Sequence, residues 1–327
     1  MMKTKGVLML LIALTIFLTA CNSSDGAQTI ILAENQVDDY PTSVGDYEFA
    51  RLIEEKTDGR YKVEVYTGGQ LGDEKSAIEL MQVGAIELAR INGSPLMEFS
   101  DSLGVLSLPY LFSDDDHKWE VLNGEIGETL LDGLKESNLQ GLAFYDSGNR
   151  HFYNSVREIK SPEDLEGLKI RVQQSSLNID MVEALGASAT AMSYGEVYSA
   201  IQTGVIDGAE NNFPSYYTTN HFEVAKYVTM DGHSSVPEVL TASKAFWDTL
   251  SDEDKEIFKE AALESQVVQR EAWAALEEKS LLEARNAGNT VTVIDDVTPW
   301  QEAVEPIYTK YGEQFKENLE KIQSLVK

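Results

Sequence analysis

The sequence predicts an α/β protein of two lobes, and three observations carry that expectation. Strand-like and helix-like segments alternate from Thr29 onward, and the same style of winding starts again near Ser147. A helical pattern without Gly or Pro then runs some 37 residues from Ser251 to Gly288. At 1.5 Å per residue that pattern spans roughly 55 Å, longer than one small lobe, so it should bridge both lobes or bend.

Taken in order, residues 30–33 read as a strand, and Val44, Tyr47, Ala50 and Ile53 mark one face of a helix that ends near Asp58-Gly59. Tyr61, Val63 and Val65 alternate as a second strand. A Gly68-Gly69 turn leads into a helix over residues 73–83, and residues 85–91 form the next strand. Strand, helix, strand, helix, strand is the start of a parallel sheet. Residues 141–146 form a further strand. Ser161-Pro162-Glu163-Asp164 opens a short helix that Gly167 closes, ahead of a strand over residues 168–172. A helix over residues 176–185, a strand over 189–192, a helix over 196–203 and the segment 205–212 follow. Behind the long helix, residues 290–294 make a last strand, and residues 300–326 are helical with a break near Gly312.

The first residues set the compartment. Lys3 and Lys5 precede an apolar run over residues 7–20, and Leu18-Thr19-Ala20 stands ahead of Cys21, the only cysteine. A 14-residue run is short for a spanning helix, so it reads as a signal peptide over residues 1–20. Cys21 sits where bacterial lipoprotein signals place the lipid-bearing cysteine, with residues 21–28 as a tether. A single cysteine leaves no intramolecular disulfide. Formal charge is −29; losing the two leader lysines and no acids makes it −31. That balance excludes a basic nucleic-acid surface, and any anion site must carry its own local cations.

Enzyme chemistry finds no foothold. His117, His151, His221 and His233 are not paired at a zinc spacing, and no nucleophile elbow, phosphate loop or dinucleotide glycine pattern occurs. No metal or cofactor is expected. The eight arginines are more informative: Arg90, Arg150 and Arg171 stand apart from the five among polar neighbours. Arg171 lies at the carboxyl end of a strand, where open α/β sheets bind ligands, and its planar fork suits a carboxylate. An internal salt bridge is the competing role. Arg150, among Asn149, His151, Phe152, Tyr153 and Asn154, has the mixture of rings and amides that suits a sugar-like ligand or ordinary packing.

Gly69-Gln70-Leu71-Gly72, the stretch from Ser161 to Val172 and the stretch from Gly195 to Asn211 resemble the hallmarks of the TRAP transporter solute-binding proteins. The resemblance runs in order over nearly the whole mature chain. It implies a periplasmic-binding-protein clamp of type II-like α/β lobes with a long lobe-spanning helix. Lobe I would comprise residues 29–147 plus about 236–276, and lobe II residues 148–235 plus about 277–327. It also implies delivery of a small carboxylate to small and large membrane permease subunits driven by an ion gradient, with no catalysis and no nucleic acid.

Position by position, the resemblance makes Arg171 the arginine that pairs with the ligand carboxylate and Arg150 a second polar contact. Asn211 matches the asparagine that bonds the ligand, Tyr194 an aromatic contact, and Asn35 and Asn92 pocket positions of the first lobe. Glu74, Gln173, Glu210 and His233 complete the candidates, each also fitting a supporting or capping role. The run 148–154, the Asn211-Asn212 pair and the run 221–227 resemble members that bind hexuronates and related sugar acids. A C4-dicarboxylate, or service as a ligand-sensing receptor, is the alternative.

Overall fold

A computed structural model describes residues 26–326; the leader and Cys21 lie outside the described residues. Among the described residues no helix is long and apolar enough to cross a membrane. Two sheets organise them. The first has the strand order β2-β1-β3-β10-β4, built from β1 (Gln28–Ala33), β2 (Tyr61–Tyr66), β3 (Leu88–Asn92), β4 (Leu139–Tyr145) and β10 (Glu238–Ser243). The second runs β11-β9-β5-β8-β6-β7, from β5 (Arg150–Asn154), β6 (Lys169–Val172), β7 (Ser188–Ala191), β8 (Gly208–Asn211), β9 (Tyr227–Ser234) and β11 (Thr290–Val293).

The parallel core of each sheet is where the hydrophobic alternation places it. β1 pairs in parallel with β2 and β3, and β6 with β7 and β8. Strands β5 and β10 insert antiparallel, β5 between β8 and β9 and β10 between β3 and β4. The first helix, Pro41–Lys56, starts on a proline and stops where Asp58 and Gly59 turn to positive φ. Asp73 caps the helix Glu74–Gln82 by accepting from the Ser76 amide at 2.9 Å. The short helix expected after Ser161 is a single 3₁₀ turn, Pro162–Leu165, because Gly167 reverses the chain at a φ of 79°.

The long helix is Asp252–Asn286, 35 residues or about 52 Å, capped by Ser251 with three acids in its first turn. Its buried stripe changes character along its length. Phe258, Ala261 and Ala262 pack on the first lobe's core, whereas Ser265, Gln266 and Gln269 bond to strand β4 and the chain just past it. Gln269 takes both main-chain groups of Asp146: its Oε1 accepts from the amide and its Nε2 donates to the carbonyl, each at 2.8 Å. Farther on the helix packs on Phe213–Thr218 of the second lobe, so it spans both.

The chain crosses between the sheets at residues 146–149 and returns at 235–237. Ser147 donates to the Val236 carbonyl and Ser235 to the Gly148 carbonyl, which ties the two crossings together. The closing segment breaks twice, into Thr298–Ala303, Glu305–Tyr311 and Lys316–Gln323. Its apolar side touches both lobes. Lys310 and Tyr311 bond Asp180, while Phe315 packs on Gly104 and the Ile322 carbonyl meets His117 Nε2 at 3.0 Å.

Candidate ligand-binding site

The carboxyl ends of β1, β3, β6 and β8 and the amino ends of the antiparallel β5 and β10 converge between the lobes. They frame a small cavity of about 20 Å³ lined by Asn35, Gln36, Glu74, Arg90, Asn92 and Glu238 from the first lobe. Arg150, Arg171, Gln173, Tyr194, Asn211, Asn212 and Ser215 line it from the second. A solvent-open cleft of about 540 Å³, reaching Gly69, Asp73, Lys75, Ser193 and Tyr198, shares its walls. Eight of the ten ligand-binding candidates named from the sequence meet in this cavity. Glu210 and His233 lie behind it.

Three arginines reach the cavity, all at most 3% exposed, and their donors are spent very differently. A guanidinium carries five N–H groups. Arg90 gives its Nε to Glu34 at 2.9 Å, its Nη1 to Glu74 at 3.1 Å and Glu238 at 2.6 Å, and its Nη2 to Glu34 and Asn35. It has nothing left. Arg150 grips Glu210 through Nε and Nη2, the latter also donating to the Glu210 carbonyl at 2.9 Å, and gives Nη1 to Asn211 Oδ1 at 3.0 Å. One N–H remains. Arg171 donates only to the Met192 carbonyl, from Nε at 3.0 Å and Nη2 at 2.7 Å, leaving three N–H groups.

Among the described residues no carboxylate lies within ion-pair distance of Arg171, although it is buried. Burial lowers its pKa, a penalty that the charge of Glu210 offsets only in part. The ring of Tyr194 stands 5.8 Å from its guanidinium carbon, and the Tyr194 hydroxyl is anchored to the Ser215 carbonyl and Thr219 at 3.2 Å each. Burial, then the Arg171 charge, hold His221 neutral with a pKa pushed down to about 3.

Behind Arg150 the charges alternate. Glu210 contacts His233 Nε2 at 3.4 Å, and His233 Nδ1 meets Asp231 at 2.7 Å. Burial opposes the imidazolium of His233, but Asp231 and Glu210 outweigh it and lift the pKa to about 9. Burial likewise opposes the Glu210 carboxylate, and Arg150 with His233 pulls it down to about 2. Glu210 and His233 therefore hold Arg150 in place.

The first lobe presents the opposite pole. Around the exhausted Arg90 stand Glu34, Glu74 and Glu238, with Asp46 buried nearby. Burial, then the charge of Glu34, push the Asp46 carboxyl well above its usual range. Asn92 is committed to structure: its Oδ1 accepts from the Ser94 amide, and its Nδ2 donates to Val236 and Glu238. Asn35 gives its oxygen to Arg90, and Asn211 gives its own to Arg150 and the Asn212 amide. The amide nitrogens of Asn35 and Asn211 have no partner among the described residues, so both can donate into the cavity.

The lobes touch across the cleft. Tyr40 bonds Ser215 at 2.8 Å, Ser193 donates to Asp73 at 2.7 Å, and Glu98 accepts from the Ser176 amide at 2.6 Å and its hydroxyl at 2.8 Å. Sequence reasoning missed Glu34, Glu238, Tyr40 and Ser215. Arg90 had drawn notice as an arginine in odd company; a buried acid among 55 carries no comparable signal.

The family model for bacterial extracellular solute-binding protein, family 7 (DctP) matches residues 33–314. A solute-binding protein of Chromohalobacter salexigens is 39% identical over 287 residues, 88% of this chain and 84% of that protein. Two solved structures share the fold closely. A TRAP periplasmic solute-binding protein from a Bradyrhizobium species, in complex with α/β-D-galacturonate, has a TM-score of 0.89 at 40% identity, covering 91% of this chain and 100% of that one. A TRAP periplasmic solute-binding protein from C. salexigens with bound D-glucuronate gives 0.88 at 36%, again covering 91% and 100%.

Proposed function

The chain belongs to family 7 of the bacterial extracellular solute-binding proteins, the binding subunits of TRAP transporters, and from that footing we propose that its ligand is a hexuronate. The family makes it an extracytoplasmic binding protein that hands its cargo to membrane permease subunits, not an enzyme. One observation carries the choice of ligand: the cavity has a single unspent cationic fork, Arg171, facing a pole of carboxylates and amides on the first lobe. A hexuronate has one carboxylate for the fork and a ring of hydroxyls for the acceptors opposite. Galacturonate and glucuronate in the similar structures support the same choice. Arg171 takes the carboxylate, Arg150 and Asn211 add donors, and Tyr194 backs the arginine.

A thermal-shift screen of hexuronates, aldonates and C4-dicarboxylates tests this. A true ligand at a hundredfold excess over its dissociation constant adds about 2.7 kcal/mol and raises the melting temperature. A C4-dicarboxylate outperforming every hexuronate would overturn the assignment.

The lobe limits proposed from the sequence draw support from the membership of the two sheets. The address is proposed on sequence alone: cleavage before Cys21 and acylation of its thiol would hold the clamp at the membrane. Cys21→Ser should move the protein from the membrane fraction to the soluble one; unchanged fractionation would refute the anchor.

A further inference from the structure

Every Arg90 donor is engaged within the protein, yet one carboxylate oxygen remains unused at the cavity wall. Glu74 accepts with Oε1 alone, from Arg90 Nη1 at 3.1 Å and from the Asn92 amide at 2.9 Å. Among the described residues nothing donates to its Oε2, and Glu74 lines both the cavity and the outer cleft. Glu238 is more committed, bonded through one oxygen to Arg90 and through the other to Asn92.

Resting on the hexuronate reading, we propose that Glu74 is a specificity-determining residue: it accepts a ligand hydroxyl at the end remote from Arg171 and rejects a second carboxylate there. The clamp thereby separates hexuronates from the aldarates that share their carbon skeleton and differ in ending on two carboxylates. An aldarate seated on Arg171 would bring its far carboxylate toward Glu74, with Glu34 and Glu238 close behind. Arg90, the cation bonded to all three carboxylates, has no N–H to place between them. The amide nitrogens of Asn35 and Gln36 are free donors on that wall, but an amide does not balance the charge, and Lys75 lines only the open cleft outside. A hydroxyl is a donor and satisfies the same oxygen at no electrostatic cost.

The discrimination also depends on the protonation of Glu74. Facing it are Arg90, Glu34, Glu238 and the Asn92 amide from its own lobe, with Arg171 and Gln173 across the cavity. Burial raises its pKa to about 7, Arg90 opposing and Glu238 and Glu34 adding to the rise. Below neutrality the acid becomes a donor to a carboxylate, and rejection of the aldarate weakens.

The test measures dissociation constants at pH 8 for D-galacturonate, D-glucuronate, galactarate and D-glucarate, with wild-type protein and Glu74→Gln. Wild type should prefer the uronate, and Glu74→Gln, which keeps an oxygen for Arg90 and Asn92, should narrow the ratio by about tenfold or more, chiefly through tighter aldarate binding. A ratio unchanged in Glu74→Gln, or a wild type that binds aldarates as tightly as uronates, overturns the proposal. Wild-type affinities at pH 8 and pH 6 provide an arm that needs no variant: the ratio should shrink at the lower pH, and a constant ratio overturns it. Failure of every uronate to bind wild type instead refutes the hexuronate assignment itself.

Discussion

Replacing Arg171 with methionine separates binding from folding. Methionine keeps most of the buried aliphatic volume and removes the charge with all five donors. The ligand then loses two parallel charge-assisted hydrogen bonds at about 1.5–3 kcal/mol each. The expected loss is about 3–6 kcal/mol, or roughly two to four powers of ten in affinity. The empty protein should respond in the opposite sense. Arg171 sits buried with no carboxylate within ion-pair distance among the described residues, so its removal relieves a charge that Glu210 compensates only in part. Against that stand the Met192 carbonyl losing its donor and the Tyr194 ring losing its cation, about 1 kcal/mol each. Melting curves of Arg171→Met without ligand should match or exceed wild type, while the uronate-induced rise vanishes; calorimetric titration gives the affinity. Arg171→Lys keeps the charge without the fork and should fall between the two. A variant that retains the uronate shift, or that melts many degrees lower when empty, would refute the reasoning.

Two further outcomes follow from the geometry. Glu98→Ala removes a pair of hydrogen bonds between the lobes without touching the cavity, so the closed state should lose about 1 kcal/mol and ligand should leave roughly fivefold faster. Stopped-flow tryptophan fluorescence reads that rate; an unchanged rate means the contact does not hold the lobes shut. His233 gives a pH signature. Its folded pKa of about 9 lies above the unfolded value of 6.5, so its stabilisation is fully present below pH 6.5 and is lost as pH rises through 9. On the order of 3 kcal/mol is at stake. His233→Gln should flatten the decline in melting temperature between pH 6.5 and 9, and an unaltered slope would show that His233 is not the group responsible.

The parallel half of each sheet could be read from the chain because its strands are short apolar runs set between helices with caps and glycine stops. Strands β5, β9 and β10 escaped because they carry Arg150, His151, Asp231, His233 and Glu238, residues that look solvated. Their partners lie far away in sequence: Arg150 is 60 residues from Glu210, and Arg90 is 148 from Glu238. Polar burial of this kind is decided by tertiary contact, which periodicity does not register. The extra break in the closing segment had a local signal that went unread, Pro306 at the start of Glu305–Tyr311. Arg171 stood out for a physical reason, a rare arginine at the end of a parallel strand. That Arg90 would be exhausted and Arg171 unspent could not be seen without the acceptors.

The hold of Gln269 on both main-chain groups of Asp146 fixes where the clamp pivots. Strand β4 is bolted to the long helix up to that residue, so a swing of the second lobe falls on residues 147–149, where Gly148 already sits at a φ of 57°, on the return crossing and on the long helix beyond Gln269. Arg150 is two residues from that axis. Arg171 stands on β6, two strands from β5 in the sheet and so roughly 10 Å farther out. The same small rotation carries Arg171 through the longer arc.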